Sequence, residues 1–280
     1  MKHIASFSTG LSSAVMVERL LARYGKDAVT VVVMDTLIED DDNYRFAADC
    51  GRRWGVDFVW LREGRDPYQV NADHNVIPNQ KAAYCTFDLK ITPFKKYLAS
   101  LKDALNREWM DNGGLERGEW SPSLTVHIGF DYSEVHRCAA TDKNYNALGY
   151  AVDYPLLWKP LEHRPYAQVV RQDWGIEPPR MYGMGYTHAN CGGRCVKQGK
   201  GDWLRTLINF PERYAEAEAW EAKMRENPTN AAYALLRDQS DGEVRPMTLR
   251  QLREEYEAGQ SAPLFTLDRA SACVVCGVGV

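Results

Sequence analysis

The sequence predicts an α/β fold: a Rossmann-like, doubly wound parallel sheet with a C-terminal helical, cysteine-containing extension. Three observations predict it. Short apolar strands alternate with amphipathic helices near the start, one strand is almost wholly β-branched, and residues 201–280 contain long helical patterns. Such alternation is typical of parallel sheets covered by helices on both faces, and ligands bind at the carboxyl ends of their strands.

The first elements follow the alternation closely. Residues 3–8 form the first predicted strand, and a Gly/Ser turn leads into a helix over 12–24, where apolar residues recur at helical spacing. Residues 28–34 (AVTVVVM) predict a strand buried on both faces. A helix over 41–54 and a third strand over 57–61 complete the β-α-β-α-β opening.

The remaining elements are less regular. Residues 62–87 are polar and predict an irregular active-site loop. Later predicted elements are a helix over 91–109, a strand over 124–130, a helix beginning within 132–141, an edge strand over 152–157, an irregular segment over 174–200 and helices over 202–226 and 248–257. We therefore predict two domains, an α/β domain over 1–200 and a helical extension over 201–280.

The composition excludes several classes of protein. Of the 280 residues, 45% are hydrophobic and 26% charged, which argues against disorder. No apolar run approaches the roughly 18 residues of a membrane helix, and the start has no secretory h-region, so we expect a cytoplasmic protein without a membrane partner. A net charge of −4 gives no general attraction for nucleic acid, but leaves a local basic groove open.

The cysteines are unusual for such a chain. They are Cys50, Cys85, Cys138, Cys191, Cys195, Cys273 and Cys276. An odd number without an export signal suggests metal, cluster or redox chemistry rather than a disulfide framework. Cys50 and Cys138 lie in predicted helices, where we expect them to be buried as small hydrophobic residues. The other five fall in loops or the tail.

A turn of small residues separates the first strand from the first helix. In residues 8–13 (STGLSS), backbone N–H groups and hydroxyls point toward one spot at the positive end of a helix dipole, which suits a phosphate. A turn that only caps the helix has the same composition. The segment matches neither the dinucleotide glycine motif nor the Walker loop.

Residues 6–14 (SFSTGLSSA) resemble the PP-loop of the adenine nucleotide α-hydrolase superfamily, written S-G-G-x-[DS]-S. The resemblance is strongest to the branch that contains phosphoadenosine-phosphosulfate reductases and phage- or plasmid-borne relatives. Further segments resemble that branch in the same order: residues 35–39 (DTLIE), 84–93 (YCTFDLKITP), 128–137 (IGFDYSEVHR), 154–157 (YPLL), 174–179 (WGIEPP) and 190–197 (NCGGRCVK). Together they span about residues 4–200 and imply a HUP-type domain.

The resemblance implies roles for individual residues. The nucleotide phosphates would be held by Ser8, Thr9, Gly10, Ser12 and Ser13. Asp35 would lie near adenine or ribose, Glu134 would belong to the nucleotide site, and Lys90 and Arg137 would supply positive charge to it. Taken singly, each has a plainer interpretation: Asp35 ends a strand, Lys90 is solvated, and Glu134 with Arg137 forms a surface pair.

Two loop positions depart from the family pattern. Ser12 replaces the Asp of ATP-pyrophosphatase members, which leaves a Mg²⁺ ion to other carboxylates. Thr9 replaces the second glycine and stiffens the loop.

The five remaining cysteines allow three interpretations. The resemblance implies a [4Fe–4S] cluster on Cys85, Cys191, Cys195 and one tail cysteine, Cys273 or Cys276. Alternatively, the two close pairs bind a structural Zn²⁺ through four thiolates. In the third interpretation, the tail pair is a redox dithiol with Cys276 as nucleophile. The candidate catalytic residues are thus Cys85, Cys276, Lys90 and Arg137.

A set of basic residues suggests a nucleic-acid surface or a solvated helix face. They are Lys90, Lys95, Lys96, Lys102, Arg194, Lys197 and Lys200. If they share a rim, it would guide a tRNA or DNA acceptor without base specificity.

The resemblance implies an enzyme that uses ATP or a related adenine nucleotide to adenylate an acceptor, releases pyrophosphate and transfers sulfur from a sulfur donor. The alternative is a sulfonucleotide reductase that uses a thiolate and a thioredoxin-like reductant. A second alternative is a nucleotide-binding module without catalysis.

Overall fold

A computed structural model describes residues 1–79, 83–159, 164–238 and 242–259. Its central sheet has five parallel strands in the order β3-β2-β1-β4-β5, so the α/β, Rossmann-like fold is confirmed. The strands of the described part are β1 (Lys2–Ser6), β2 (Val29–Asp35), β3 (Phe58–Arg62), β4 (Leu124–His127), β5 (Ala151–Asp153), β6 (Leu236–Asp238) and β7 (Arg245–Met247). The strand order reverses between β1 and β4, which is where ligands bind in such sheets.

Helices cover the sheet and continue beyond it. They are α1 (Leu11–Tyr24), α2 (Asp41–Trp54), α3 (Pro67–Asp73), α4 (Tyr84–Thr86), α5 (Thr92–Asp111), α6 (Cys138–Asn146), α7 (Tyr166–Trp174), α8 (Arg180–Gly183), α9 (Lys200–Asn209), α10 (Pro211–Arg225) and α11 (Leu249–Glu257). One helical turn, Phe87–Ile91, is π-helical, and Tyr132–Arg137, Pro155–Leu157 and Asn190–Gly193 are 3₁₀-helical. No helix in the described ranges is both long and apolar enough to cross a membrane.

Two apolar cores lie against the sheet, and a third joins the extension to the preceding chain. Ala5, Phe7 and Phe46 belong to the core beneath α1 and α2, whereas Ile4 and Val126 belong to the core on the opposite side of the sheet. Because residues alternate between the two faces of a strand, Ile4 and Ala5 serve different cores. The third core packs Trp203, Tyr214 and Leu252 against Ile77, Ala83 and Val196.

Several predicted elements were wrong. The segment 62–87 is not irregular throughout, because Asp66 and Gln69 form a capping box that starts α3. The helix predicted over 202–226 is two helices, divided at Phe210 because Pro211 begins the second. The strand predicted over 124–130 ends at His127.

The structure also differs around the last strands. The edge strand ends at Asp153, and Pro155 starts a 3₁₀ turn instead of continuing it. The irregular segment 174–200 contains α8 and a 3₁₀ turn. A two-stranded antiparallel sheet, β6–β7, interrupts the extension predicted to be helical. Cys50 is fully buried as expected, and Cys138 is half-buried.

Candidate functional site

The PP-loop-like turn follows β1 and is organised by Ser13. The Ser13 hydroxyl donates to the carbonyl of Gly10 at 3.0 Å and accepts from the backbone N–H of Ser8 at 3.2 Å. Thr9 has φ +58°, the left-handed conformation that glycine adopts without strain. A threonine therefore stands here in a backbone conformation for which glycine is the usual residue.

An open cleft lies beside this loop, at the point where the sheet order reverses. A Cβ added to Gly129 would lie 3.1 Å from Cα of Ser13, so glycine lets the segment after β4 approach α1 closely. Among the predicted nucleotide residues, the cleft is lined by Ser8, Gly10, Ser12, Ser13, Glu134 and Arg137. The structure therefore brings these six residues together.

Arg137 is held rigidly in the cleft wall. Its guanidinium lies 4.2 Å from the ring centre of Phe130 and pairs with Glu134. Only 9% of Arg137 is exposed, so this pair is more than a surface contact. Burial raises the pKa of Glu134, and the neighbouring Arg137 charge opposes that rise. Asp131 lines the same cleft and caps the following turn by accepting from the N–H of Ser133.

Two residues that sequence reasoning missed or set aside also line the cleft. The hydroxyl of Tyr182 accepts from the backbone N–H of Leu11 at 3.3 Å, at the start of α1. His188 is the second. No local motif marks Tyr182, since its contact with Leu11 spans 171 positions. A single histidine next to a cysteine pair gives only a weak signal.

A second cavity, which we call the aromatic cavity, lies on the other side of the loop. Its walls include Phe7, Tyr44, Trp60, Phe94 and Tyr145. The cavity holds about 30 Å³, the space of one or two water molecules, so it is too narrow for an adenine ring in this structure. Thr9, Asp35, Glu39 and Lys90 also line the aromatic cavity.

Asp35 provides one of the carboxylates of the aromatic cavity, beside Glu39. It accepts hydrogen bonds from Arg62 Nε at 2.8 Å, from the hydroxyl of Tyr44 at 2.7 Å and from the N–H of Leu37 at 3.0 Å. Burial alone would raise the pKa of Asp35, but these three donors hold that pKa below its usual value. Asp35 is therefore an ionised acceptor whose partners fix its orientation.

A third cavity, which we call the thiol cavity, contains Cys85, Cys191 and Cys195. Burial raises the pKa of Cys85 to about 11. The hydrogen bond with Cys195, followed by burial, raises the pKa of Cys191. The thiols of Cys85 and Cys191 are accordingly protonated near neutral pH.

The metal interpretations remain predictions. Within the described ranges, no group of three or more His, Cys, Asp and Glu side chains is placed to hold a metal ion. Cys273 and Cys276 lie outside those ranges.

Lys90 connects the aromatic and thiol cavities, because it lines both. It belongs to the π-helical turn before α5, and such turns are frequent at functional sites. Glu39 lies in the same region and accepts from the hydroxyl of Thr36 at 2.9 Å and from the N–H of Cys191 at 2.6 Å. Burial raises the pKa of Glu39, and the positive charge of Lys90 opposes that rise.

The chain around Cys191 is strained in a way that positions its thiol. Cys191, Gly192 and Gly193 all have positive φ. A Cβ on Gly192 would lie 2.9 Å from the carbonyl oxygen of Ile38. The adjacent Asp40 carboxylate is fully buried and accepts from Arg180 at 2.8 Å and from Arg213 at 2.7 Å. These contacts fix residues 191–193 against Ile38 and Asp40, in the loop that follows β2.

The predicted basic residues are divided among different surroundings. Lys90 and Lys197 line the thiol cavity. Arg194 and Lys200 pair with Glu216 and Glu255, respectively. Lys102 lies 5.3 Å from the ring centre of Tyr150. A shared rim for nucleic acid stays a prediction.

No protein-family model and no curated protein matches this chain. The phosphoadenylyl-sulfate (PAPS) reductase of Candida auris, solved as a phosphate complex, is 14% identical, with a TM-score of 0.40, over 67% of this chain and 79% of that one. The NH3-dependent NAD synthetase of Campylobacter jejuni, solved with nitrate, is 15% identical, with a TM-score of 0.31, over 82% of this chain and 86% of that one.

Proposed function

We propose that this chain is a PP-loop enzyme that binds ATP and adenylates an acceptor, with sulfur delivered from the thiol cavity. The proposal rests on the position of the loop over residues 8–13, which borders both the cleft and the aromatic cavity. Ser8 lines both the cleft and the aromatic cavity, so phosphates held in the cleft place the rest of the nucleotide beside the aromatic cavity, which would have to widen beyond its volume of about 30 Å³ to admit a base. Lys90 then lies between the aromatic cavity and the thiols.

The chemistry divides between these three spaces. An acceptor oxygen attacks the α-phosphorus, the bond between the α-phosphorus and its bridging oxygen breaks, and pyrophosphate leaves with that electron pair. Arg137 and the loop N–H groups stabilise the negative charge that develops. Asp131 and Glu134 are the carboxylates in the cleft that would hold a Mg²⁺ ion in place of the missing loop Asp.

Sulfur transfer requires a donor that loads one cavity cysteine as a persulfide. The terminal sulfur attacks the adenylated carbon, and AMP leaves. A second cavity thiol then attacks the inner sulfur, which releases the thiolated acceptor and leaves a disulfide for a dithiol reductant. Cys191 and Cys195 are hydrogen-bonded to each other and therefore suit this step.

The second candidate, sulfonucleotide reduction, is favoured by Ser12, because a reaction that releases no pyrophosphate does not need the loop Asp. The pKa of Cys85 is raised, as is that of Cys191, so either thiol needs a base to take its proton before it acts as a nucleophile. Sulfite release from a sulfonucleotide with thioredoxin would identify this activity.

The test is pyrophosphate release from ATP, Mg²⁺ and candidate acceptors. Ser13→Ala removes the hydroxyl that closes the loop, and Gly10→Val places a side chain against the Tyr182 hydroxyl, which lies 3.1 Å from a Cβ at that position. We expect each change to lower release at least tenfold. Ser100→Ala, on the exposed side of α5, is the matched control. Unchanged release in both loop variants would refute the assignment.

A further inference from the structure

His188 is a part-buried histidine that lines the cleft and whose two ring nitrogens are shielded from water. It lines the cleft together with the loop residues and Arg137. In the described part of the chain, neither its Nδ1 nor its Nε2 hydrogen-bonds to another residue, and the ring is in reach only of its own main chain. Buried polar groups are normally paired, so an unpaired ring in a cleft calls for an explanation, such as a ligand that is absent.

The backbone on both sides of His188 is held in place. The hydroxyl of Thr187 donates to Asp202 at 3.4 Å, and the carbonyl of Ala189 accepts from the buried amide of Asn43 at 2.7 Å. These contacts come from α9 and α2, so two separate elements fix the segment. A side chain presented by such a fixed segment is pre-organised for a partner.

Burial and the neighbouring charges set the protonation state of the His188 ring. Burial lowers the pKa of His188, and the positive charge of Lys90 acts in the same direction, whereas Asp202 opposes them. Asp131, Glu134 and Arg137 are the other charged groups that line this cleft, together with the titratable Tyr166 and Tyr182. The ring is therefore neutral near pH 7, with one N–H to donate and one nitrogen to accept.

We propose that His188 binds the phosphate chain of the nucleotide, donating its ring N–H to a phosphoryl oxygen beside Arg137. The inference rests on the proposed function, because it takes the cleft as the phosphate site. Because both ring nitrogens are shielded in this structure, the proposal requires the ring to rotate toward the cleft when the anion binds. His188 thereby joins Arg137 and the loop as a third source of hydrogen bonds to the anion.

The experiment measures binding of pyrophosphate and, separately, of adenosine to the full chain by calorimetry. A hydrogen bond to a charged group predicts that His188→Ala weakens pyrophosphate binding about ten- to a hundredfold. Adenosine binding stays within about twofold, because adenosine carries no phosphate. His188→Gln, which restores an N–H donor, recovers part of the loss. His136→Ala, at an exposed histidine outside the cleft lining, is the control.

Equal pyrophosphate binding by wild type and His188→Ala would overturn the assignment, as would parallel losses of pyrophosphate and adenosine. If His188→Ala fails to fold, nitrogen NMR of the wild-type histidine rings replaces it. Pyrophosphate must then shift a ring resonance that is missing in His188→Gln, and an unmoved resonance overturns the assignment. Wild type that binds pyrophosphate but releases none from ATP refutes only the proposed function. If the wild type binds neither pyrophosphate nor adenosine, both the role of His188 and the proposed function are refuted.

Discussion

Replacing Gly192 with alanine tests how the fold positions the thiols. The residue has φ +56°, and an added Cβ would meet the carbonyl oxygen of Ile38 at 2.9 Å. A left-handed alanine costs about 1–2 kcal/mol, and overpacking a buried site costs about 1–3 kcal/mol more. We therefore expect Gly192→Ala to lower the free energy of unfolding by about 2–5 kcal/mol.

Gly55→Ala is a matched control. Gly55 has φ +62° at the end of α2, and an added Cβ there meets nothing within 4 Å. Gly55→Ala should lower the free energy of unfolding only by the cost of a left-handed alanine, about 1–2 kcal/mol. Urea unfolding with a shared m-value measures both variants. Equal losses would show that the approach of Ile38 to Gly192 does not constrain the segment.

Three further outcomes are expected. Asp40→Asn should lower the free energy of unfolding at pH 7 by about 3 kcal/mol, because Arg180 and Arg213 lose a buried charged partner. Burial would raise the pKa of Asp40, but the hydrogen bonds from its arginine partners hold that pKa low. The wild type therefore loses this stability as the pH falls below about 4, and its free energy of unfolding approaches that of Asp40→Asn. A difference between the two proteins that does not change with pH would contradict this. The rate of Cys85 alkylation, measured by mass spectrometry, should rise about tenfold per pH unit from pH 7 to 10, because the pKa of this thiol is about 11. An alkylation rate that does not change with pH would show that Cys85 is already a thiolate. Tyr214→Phe should lower the free energy of unfolding by about 1 kcal/mol, because the Tyr214 hydroxyl donates to the buried carbonyl of Leu249 at 2.6 Å. Thermal unfolding measures this loss, and an unchanged midpoint temperature would show that the hydrogen bond contributes no net stability.

The sequence predicted the sheet well because its signals are local. The helix over 41–54 has the predicted bounds, since Asp40 caps one end and Gly55 adopts the left-handed conformation at the other. The start of α3 was missed although Asp66, Pro67 and Gln69 carry a recognisable helix-start signal. That error came from treating polarity as irregularity.

The site was predictable only where its residues belong to a motif. Ser8, Ser13 and Arg137 line the same cleft, and their role in nucleotide binding stays a prediction. Tyr182 and the part-buried position of His188 depend on contacts between distant parts of the chain, which local patterns do not encode. Likewise, nothing in the sequence shows that Lys90 lines two cavities, because that depends on the π-helical turn.

The buried carboxylate of Asp40 has a consequence for synthesis of the chain. Its two guanidinium partners follow it by 140 and 173 positions. Ribosomes add about 5–20 residues per second, so Asp40 waits roughly 10–30 seconds for both partners to be made. During that interval the carboxylate must stay hydrated, because an unpaired buried charge is costly. Residues 191–193 can therefore be fixed beside Asp40 only late, after all five strands of the central sheet have been synthesised.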